Sequence, residues 1–102
     1  MKEYDIFLPL YYNDGKPVES RKFQEVHDAL LAQFHGLTFF PQPNQGFWQM
    51  GDVTYRDEIV IYRVIASKPR SARRFLAQLK AELKKVFRQE DILIVERDVA
   101  TL

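Results

Sequence analysis

Aromatic and charged side chains concentrate in residues 46–58, which read GFWQMGDVTYRDE and include the single tryptophan of the chain. Polar groups that converge beside an aromatic wall suit a small-molecule site, and a carboxylate next to apolar surface can be tuned for acid–base chemistry. Trp48, Tyr55, Arg56 and Asp57 are therefore candidate ligand-binding residues. A purely structural role is the alternative, in which Trp48 packs the hairpin onto the sheet.

The two histidines offer little further chemistry. His27 falls on the apolar face of a predicted helix, where it is either a buried acid–base group or, more simply, a core histidine bonded to the backbone. His35 falls in the last turn of that helix, where the helix dipole favours a cation. Eight residues of helix separate the two by roughly 12 Å, so they cannot share a metal ion. We expect no metal site and no cofactor.

Hydrophobic periodicity predicts six elements that position these residues. Strands are predicted at 3–12, 37–40, 59–66 and 92–95. A first helix begins near Glu19 or Ser20 and stops at Gly36, and a second is capped by Ser71 and ends at Asp91. Gly51-Asp52 is a two-residue turn signal, so a hairpin arm should continue strands two and three, with PQPNQ as an irregular interruption.

The order β-α-β-β-α-β in a chain of 102 residues favours one α+β domain over residues 1–102. The expected architecture is the ferredoxin-like split βαβ sandwich, a four-stranded antiparallel sheet with two helices on one face.

Four segments carry a family resemblance: DIFLPLYYNDGKPV, FHGLTFFPQPNQGFW, RDEIVIYRV and FRQEDILIVE. Together they resemble a group of short bacterial proteins without an assigned function that share a GLT…G-W centre and an FRQE-ILI ending. The resemblance covers nearly the whole chain. It implies a ferredoxin-like fold and brings no catalytic residues.

This topology places three loops at one end of the sheet, at 13–16, 46–57 and 88–91. That end is where we expect a ligand site. With His27 included, the candidate binding residues are His27, Trp48, Tyr55, Arg56, Asp57 and Glu90. The structural alternative makes Arg56, Asp57, Arg88 and Glu90 surface ion pairs and lets Gln89 cap a helix end. No motif approaches the specificity of a P-loop or a catalytic triad, so an enzyme is the less expected outcome.

The central strands are apolar on both faces, which predicts a covered outer face. If strands one and three are antiparallel neighbours, Asp5 can lie opposite Arg63 on the face away from the helices. Two helices cover only one face, and an exposed apolar patch marks an interaction surface. A second copy is the simplest cover. The predicted dimer interface consists of Phe7, Tyr11, Trp48, Ile59 and Ile61, and the predicted function is that of a non-catalytic homodimeric or interaction module.

The alternative function is that of a small-molecule-binding protein or enzyme of the dimeric α+β barrel type.

Charge and cysteine content limit the cellular location and the kinds of partner that we expect. The net charge is +1 and there is no cysteine, which excludes disulfides and thiolate chemistry and fits the cytoplasm. The apolar run near the start is too short for a signal peptide or a membrane span. Residues 68–88 are strongly basic, but the stacking platform of an RNA-recognition strand is missing from residues 56–62. Nucleic acid is therefore an unlikely partner.

Overall fold

A computed structural model describes all residues from 1 to 102. Its elements are β1 (Lys2–Pro9), α1 (Ser20–Phe34), β2 (Thr38–Met50), β3 (Val53–Ala66), α2 (Pro69–Val86) and β4 (Ile94–Asp98). The strands form one sheet in the order β2-β3-β1-β4, and every neighbouring pair is antiparallel. The predicted ferredoxin-like α+β fold is confirmed. Neither helix is long and apolar enough to cross a membrane.

The core lies between one face of the sheet and both helices. Alternate residues of β1 and β3, such as Ile6 and Val60, are fully buried against Leu30 of α1 and Leu83 of α2. Two edge-to-face aromatic pairs join the helices, Phe23 with Phe87 at 5.3 Å and Phe34 with Phe75 at 5.6 Å between ring centroids. This packing fixes which face of the sheet remains free.

The predicted register of the central strands is confirmed. Asp5 lies opposite Arg63, and Phe7 lies opposite Ile61 on the same outer face. A slip of one residue would exchange the two faces of the sheet. This register therefore also determines on which face each of the remaining side chains of β1 and β3 lies.

The predicted hairpin arm is also present. Residues 44–50 pair with 53–59, and the ladder is interrupted between Phe40 and Asn44, in the PQPNQ segment. At the tip Gly51 has a φ of +61° and Asp52 has no positive φ, the combination of a type II′ turn. The arm contributes to an elongated molecule of 42 × 30 × 24 Å.

Several predicted ends were wrong by a few residues. α2 begins at Pro69 without a side-chain cap from Ser71, because proline suits the first helical position. α2 ends at Val86, before Asp91. After it, Arg88 adopts a left-handed conformation, and the backbone N–H of Gln89 donates a hydrogen bond to the carbonyl of Lys84. This closing turn delays β4 from residue 92 to Ile94.

Two further ends differ in the first half of the chain. β1 stops at Pro9 rather than at residue 12, and beyond it Tyr11 makes only an isolated bridge to Pro17. His35, not Gly36, is the left-handed residue that closes α1, with a φ of 63°. His35 therefore lies one position beyond the last helical turn in which it was predicted.

Candidate functional site

Three of the predicted candidates meet on the outer face of the arm. Trp48 and Tyr55 are directly opposite each other in the ladder, and their rings stack with centroids 4.4 Å apart. The indole Nε1–H of Trp48 donates a hydrogen bond of 3.0 Å to Oδ2 of Asp57. The bond and the stack together hold the indole along the arm, although 45% of Trp48 remains exposed.

The arm exposes an unusual amount of apolar surface. Phe47 is 64% exposed and Trp48 45%, and Met50, Val53 and Tyr55 are exposed as well. Trp48 therefore does not pack the hairpin onto the body of the sheet, as the structural alternative required. It holds the two strands of the arm together and leaves most of the arm without a cover.

The outer face of the arm continues into the outer face of the body, with Asn44, Gly46 and Asp57 between the two groups of apolar residues. The ladder places Phe40 beside Ile61, and Ile61 beside Phe7. We define the outer apolar stripe as the outward-facing apolar residues of the arm and of these strands: Phe7, Phe40, Trp48, Met50, Val53, Tyr55, Ile59 and Ile61. Phe7, Phe40, Ile59 and Ile61 are half-buried, whereas the residues of the arm are exposed.

A charged network closes one end of the stripe. Asp5 is only 4% exposed, and Arg63 donates from Nε and Nη2 to its two carboxylate oxygens at 2.8 and 3.0 Å. Arg97 also contacts Asp5, and Glu3 bonds both arginines. The hydrogen bonds from Arg63 lower the pKa of Asp5 despite its burial. Two carboxylates face two guanidinium groups, so the network is neutral as a unit.

A second polar cluster, which the sequence did not reveal, joins the loop after β1 to the end of α2. The buried Tyr12 hydroxyl donates to Glu19 at 2.7 Å and accepts a hydrogen bond from Lys22. The guanidinium of Arg88 lies over the Tyr12 ring, 4.5 Å from its centroid. The hydrogen bond from the Tyr12 hydroxyl and a second from Lys22, whose Nζ lies 3.0 Å from Glu19 Oε2, lower the pKa of Glu19 to about 2. The only signal was the apolar-aromatic run ending at Tyr12, which periodicity assigns to a strand.

Gln89 supports the same junction, and its predicted capping role is confirmed. Its side-chain amide donates to the carbonyl of Phe87 at 3.1 Å and to Oδ1 of Asn13 at 3.3 Å. The loops at 13–16 and 88–91 thus meet, as the topology predicted. The contacts at this junction are made by Tyr12, Asn13, Arg88 and Gln89, and none of them reaches the tip of the arm.

The remaining candidates do not join the Trp48–Asp57 group. The side chain of His27 is 42% exposed and contacts Gln24 and Asp28 on the surface of α1, so both predictions for it, a buried base and a core histidine, were wrong. Arg56 lies opposite Phe47, on the other face of the arm from Asp57. Glu90 is exposed, and the predicted ion pairs among Arg56, Asp57, Arg88 and Glu90 do not form.

The predicted interface residues are spread along the outer surface. Phe7, Ile59, Ile61 and Trp48 belong to the outer apolar stripe. Tyr11 is exposed but lies beyond the end of β1, beside Pro17.

One groove lies apart from all of these residues. It has a volume of about 360 Å³ and is lined by the end of α1 and the start of α2, including Phe34, His35, Ser67 and Lys68. No sequence pattern pointed to it.

Solved structures share this fold. Phage SAM lyase in complex with S-methyl-5'-thioadenosine superposes with a TM-score of 0.70 over 95% of this chain and 80% of its own, at 16% identity. A point mutant of CutA1 from Pyrococcus horikoshii OT3 has a TM-score of 0.62 over 100% of this chain and 86% of its own, at 13% identity. No family model and no curated protein sequence matches the chain. At these identities the likeness shows the fold alone.

Proposed function

We propose that this protein is a non-catalytic self-association module, a homodimer whose contact surface is the outer apolar stripe. The observation that carries the proposal is that apolar side chains extend along one face from the exposed arm to the half-buried centre of the sheet, with Asp57 as the one charged residue among them. Exposed Trp48, Met50 and Tyr55 lie at one end, and Ile61 and Phe7 at the other. A patch of this kind on a small domain marks an interaction surface.

The occupant that fits the stripe is a second copy. Aromatic residues and methionine are the types enriched at the buried centres of protein interfaces, and the arm is built from them. Asp57 is the one charged residue on the outer face between the arm and Ile61, and it already accepts a hydrogen bond from Trp48 Nε1. At its end the network of Asp5, Arg63, Glu3 and Arg97 is already neutral, so a covering surface need not supply a matching charge. A flat apolar face that requires no complementary charge is suited to its own copy.

The solution mass tests the proposal. Light scattering across a range of concentrations, at low and high salt, should give twice the chain mass of 12.1 kDa. Ile61→Glu places a carboxylate in the middle of the stripe, and because burial of an unpaired charge is costly it should weaken the dimer about 100-fold or more.

A matched control is Leu31→Glu. Leu31 is an exposed leucine of α1, on the helical side of the molecule, and this variant should keep the wild-type mass. A wild-type monomer at all concentrations, or an unchanged mass for Ile61→Glu, contradicts the proposal.

A second candidate function is the binding of a nucleoside-like small molecule, and one observation favours it. The phage SAM lyase that shares this fold over 95% of the chain holds S-methyl-5'-thioadenosine. Isothermal titration of the wild-type protein with that compound tests it directly. Saturable binding that Trp48→Ala or Tyr55→Ala weakens would support a ligand site on the arm, and an absence of heat at millimolar ligand would remove it.

A further inference from the structure

The free edge of β2 has two prolines and a ladder irregularity in its first half, and none of the other devices that keep an edge strand from pairing with another chain. Residues 38–51 contain no charged side chain, although 28% of the chain is charged. Pro41 and Pro43 protect the first half, which leaves residues 44–50, NQGFWQM, as an uncharged and proline-free edge. Natural sheets block such edges with charges, bulges or prolines, because an open edge is a template for another strand.

The other free edge of the sheet is protected. β4 is only five residues long and includes Glu96, Arg97 and Asp98, all held in ion pairs with neighbouring elements. A short, charged strand is a poor acceptor for an added strand. Among the edges of this chain, only residues 44–50 of β2 are open, so the edge that fits them is the same segment in a second copy.

This segment is self-complementary about its own centre, Phe47. In an antiparallel pairing centred there, Gln45 lies opposite Gln49 of the second copy, and Phe47 lies opposite Phe47. On the other face Gly46 lies opposite Trp48 of the second copy. A glycine in a strand interior is stabilised when an aromatic ring from the neighbouring strand covers it.

Gly46 has no explanation within a single copy. Its φ is not positive, and a Cβ at this position would meet Ile59 Cδ1 at 3.7 Å, an ordinary contact. Glycine weakens a strand and here serves neither a turn nor a close approach within its own chain. The absence of a side chain at Gly46 leaves space that the Trp48 indole of a second copy can occupy.

We propose that two copies join through an antiparallel, two-fold pairing of residues 44–50 of β2, with Trp48 of each copy lying over Gly46 of the other. The proposal rests on the self-association proposed above and adds a second contact to it, at the edge of the sheet. The joined sheet has eight strands and carries both outer apolar stripes on one side, where the twist of the sheet must turn them toward each other for the stripes to be buried as well. Trp48 then belongs both to the stripe and to the strand pairing.

Cysteine cross-linking tests this geometry in a chain that has no cysteine of its own. The two-fold axis places the Phe47 positions of the two copies directly opposite, where Cα atoms lie about 4.5–5.5 Å apart, within the range of a disulfide. Phe47→Cys should therefore form a covalent dimer as the major species under mild oxidation. Thr54→Cys is the matched control, since it lies on β3 on the same face. Three strand spacings separate the two Thr54 positions, and each lies two residues away from the axis along the strand, so they would be roughly 20 Å apart, too far to cross-link.

A second measurement remains informative if Phe47→Cys itself weakens the dimer. Gly46→Val fills the space that the second indole occupies, so the dissociation constant should rise at least about tenfold while the fold is kept. The single tryptophan reports the same event, because its emission should shift to shorter wavelength as the concentration of the wild-type protein increases, and not in Gly46→Val.

The outcomes separate the two proposals. A wild-type dimer in which Phe47→Cys fails to cross-link and Gly46→Val associates normally keeps the self-association and overturns the β2 pairing. A ring of three copies, with β2 of one against β4 of the next, overturns the pairing in the same way. A monomeric wild type at every concentration overturns both proposals.

Discussion

The body of the molecule and the β2–β3 arm both contain many aromatic and aliphatic residues, but the body buries them and the arm exposes them. Phe87, at the end of α2, is fully buried and packs edge-to-face against Phe23. Phe47, on the arm, is 64% exposed and lies opposite the exposed Arg56 in the ladder. Hydrophobic content therefore does not by itself identify the core. In the body it is used to fold one copy, and in the arm it remains available for a second.

The largest expected effect comes from exchanging these two phenylalanines for alanine. Phe87→Ala removes a fully buried ring and should lower the free energy of unfolding by about 3–5 kcal/mol. Phe47→Ala should lower it by less than about 0.5 kcal/mol at concentrations where one copy is studied, as exposed positions do. Urea unfolding of both variants at low protein concentration measures the difference. Equal losses would mean that the arm is part of the folding unit.

An intermediate effect is expected on the outer face of the body, at the charged network. Asp5→Asn removes the carboxylate that Arg63 and Arg97 share, and should cost about 1–3 kcal/mol because the arginines remain partly in water. The matched control is Asp57→Asn, which keeps an acceptor for the Trp48 indole on the arm and should leave unfolding almost unchanged. Chemical denaturation compares them, and a harmless Asp5→Asn would contradict a structural role for the network.

The smallest effect concerns acid stability of the body. Arg73 donates two hydrogen bonds of 2.7 and 2.8 Å to Glu96, and Tyr4 a third, and these contacts lower the pKa of Glu96 to about 2. Because the pKa is lower in the folded state, the contribution is complete above the unfolded pKa of about 4.3 and is lost as the pH falls toward 2.

Glu96→Gln should therefore flatten the decline of unfolding free energy over that interval, and Arg73→Gln should do the same by removing the main donor. Thermal unfolding followed at several pH values between 5 and 2 provides the measurement. An unchanged acid slope in both variants would show that the ion pair between β4 and α2 contributes nothing to folding.

The sequence predicted the order of the elements in both the body and the arm, and it failed at several of their ends. Alternation and helical periodicity were sufficient for the order of elements, the Asp5–Arg63 register and even the arm, because Gly51-Asp52 is a local turn signal. The ends of α2 and β4 were misplaced, since a left-handed arginine at position 88 carries no compositional signal. The Tyr12–Arg88 contact joins residues far apart in sequence and depends on that same turn.

The candidate site was predicted only in part. Trp48, Tyr55 and Asp57 were predicted together because they are close along one hairpin, and the structure brings them together. His27 was misplaced because its position at the margin of the apolar stripe of α1 is compatible with either burial or exposure, and the surface contacts with Gln24 and Asp28 decide for exposure. The face of the arm on which Arg56 lies follows from the hairpin register, and that register depends on the position of the turn.

Hydrogen–deuterium exchange at low and high protein concentration tests the central claim, that the arm is an interface, most directly. We predict that backbone amides of residues 44–50 exchange more slowly as the concentration rises, while amides of the core strand β1 stay equally protected throughout. Arm amides that exchange at one rate at every concentration, in a protein that keeps the mass of a single chain, would contradict the account.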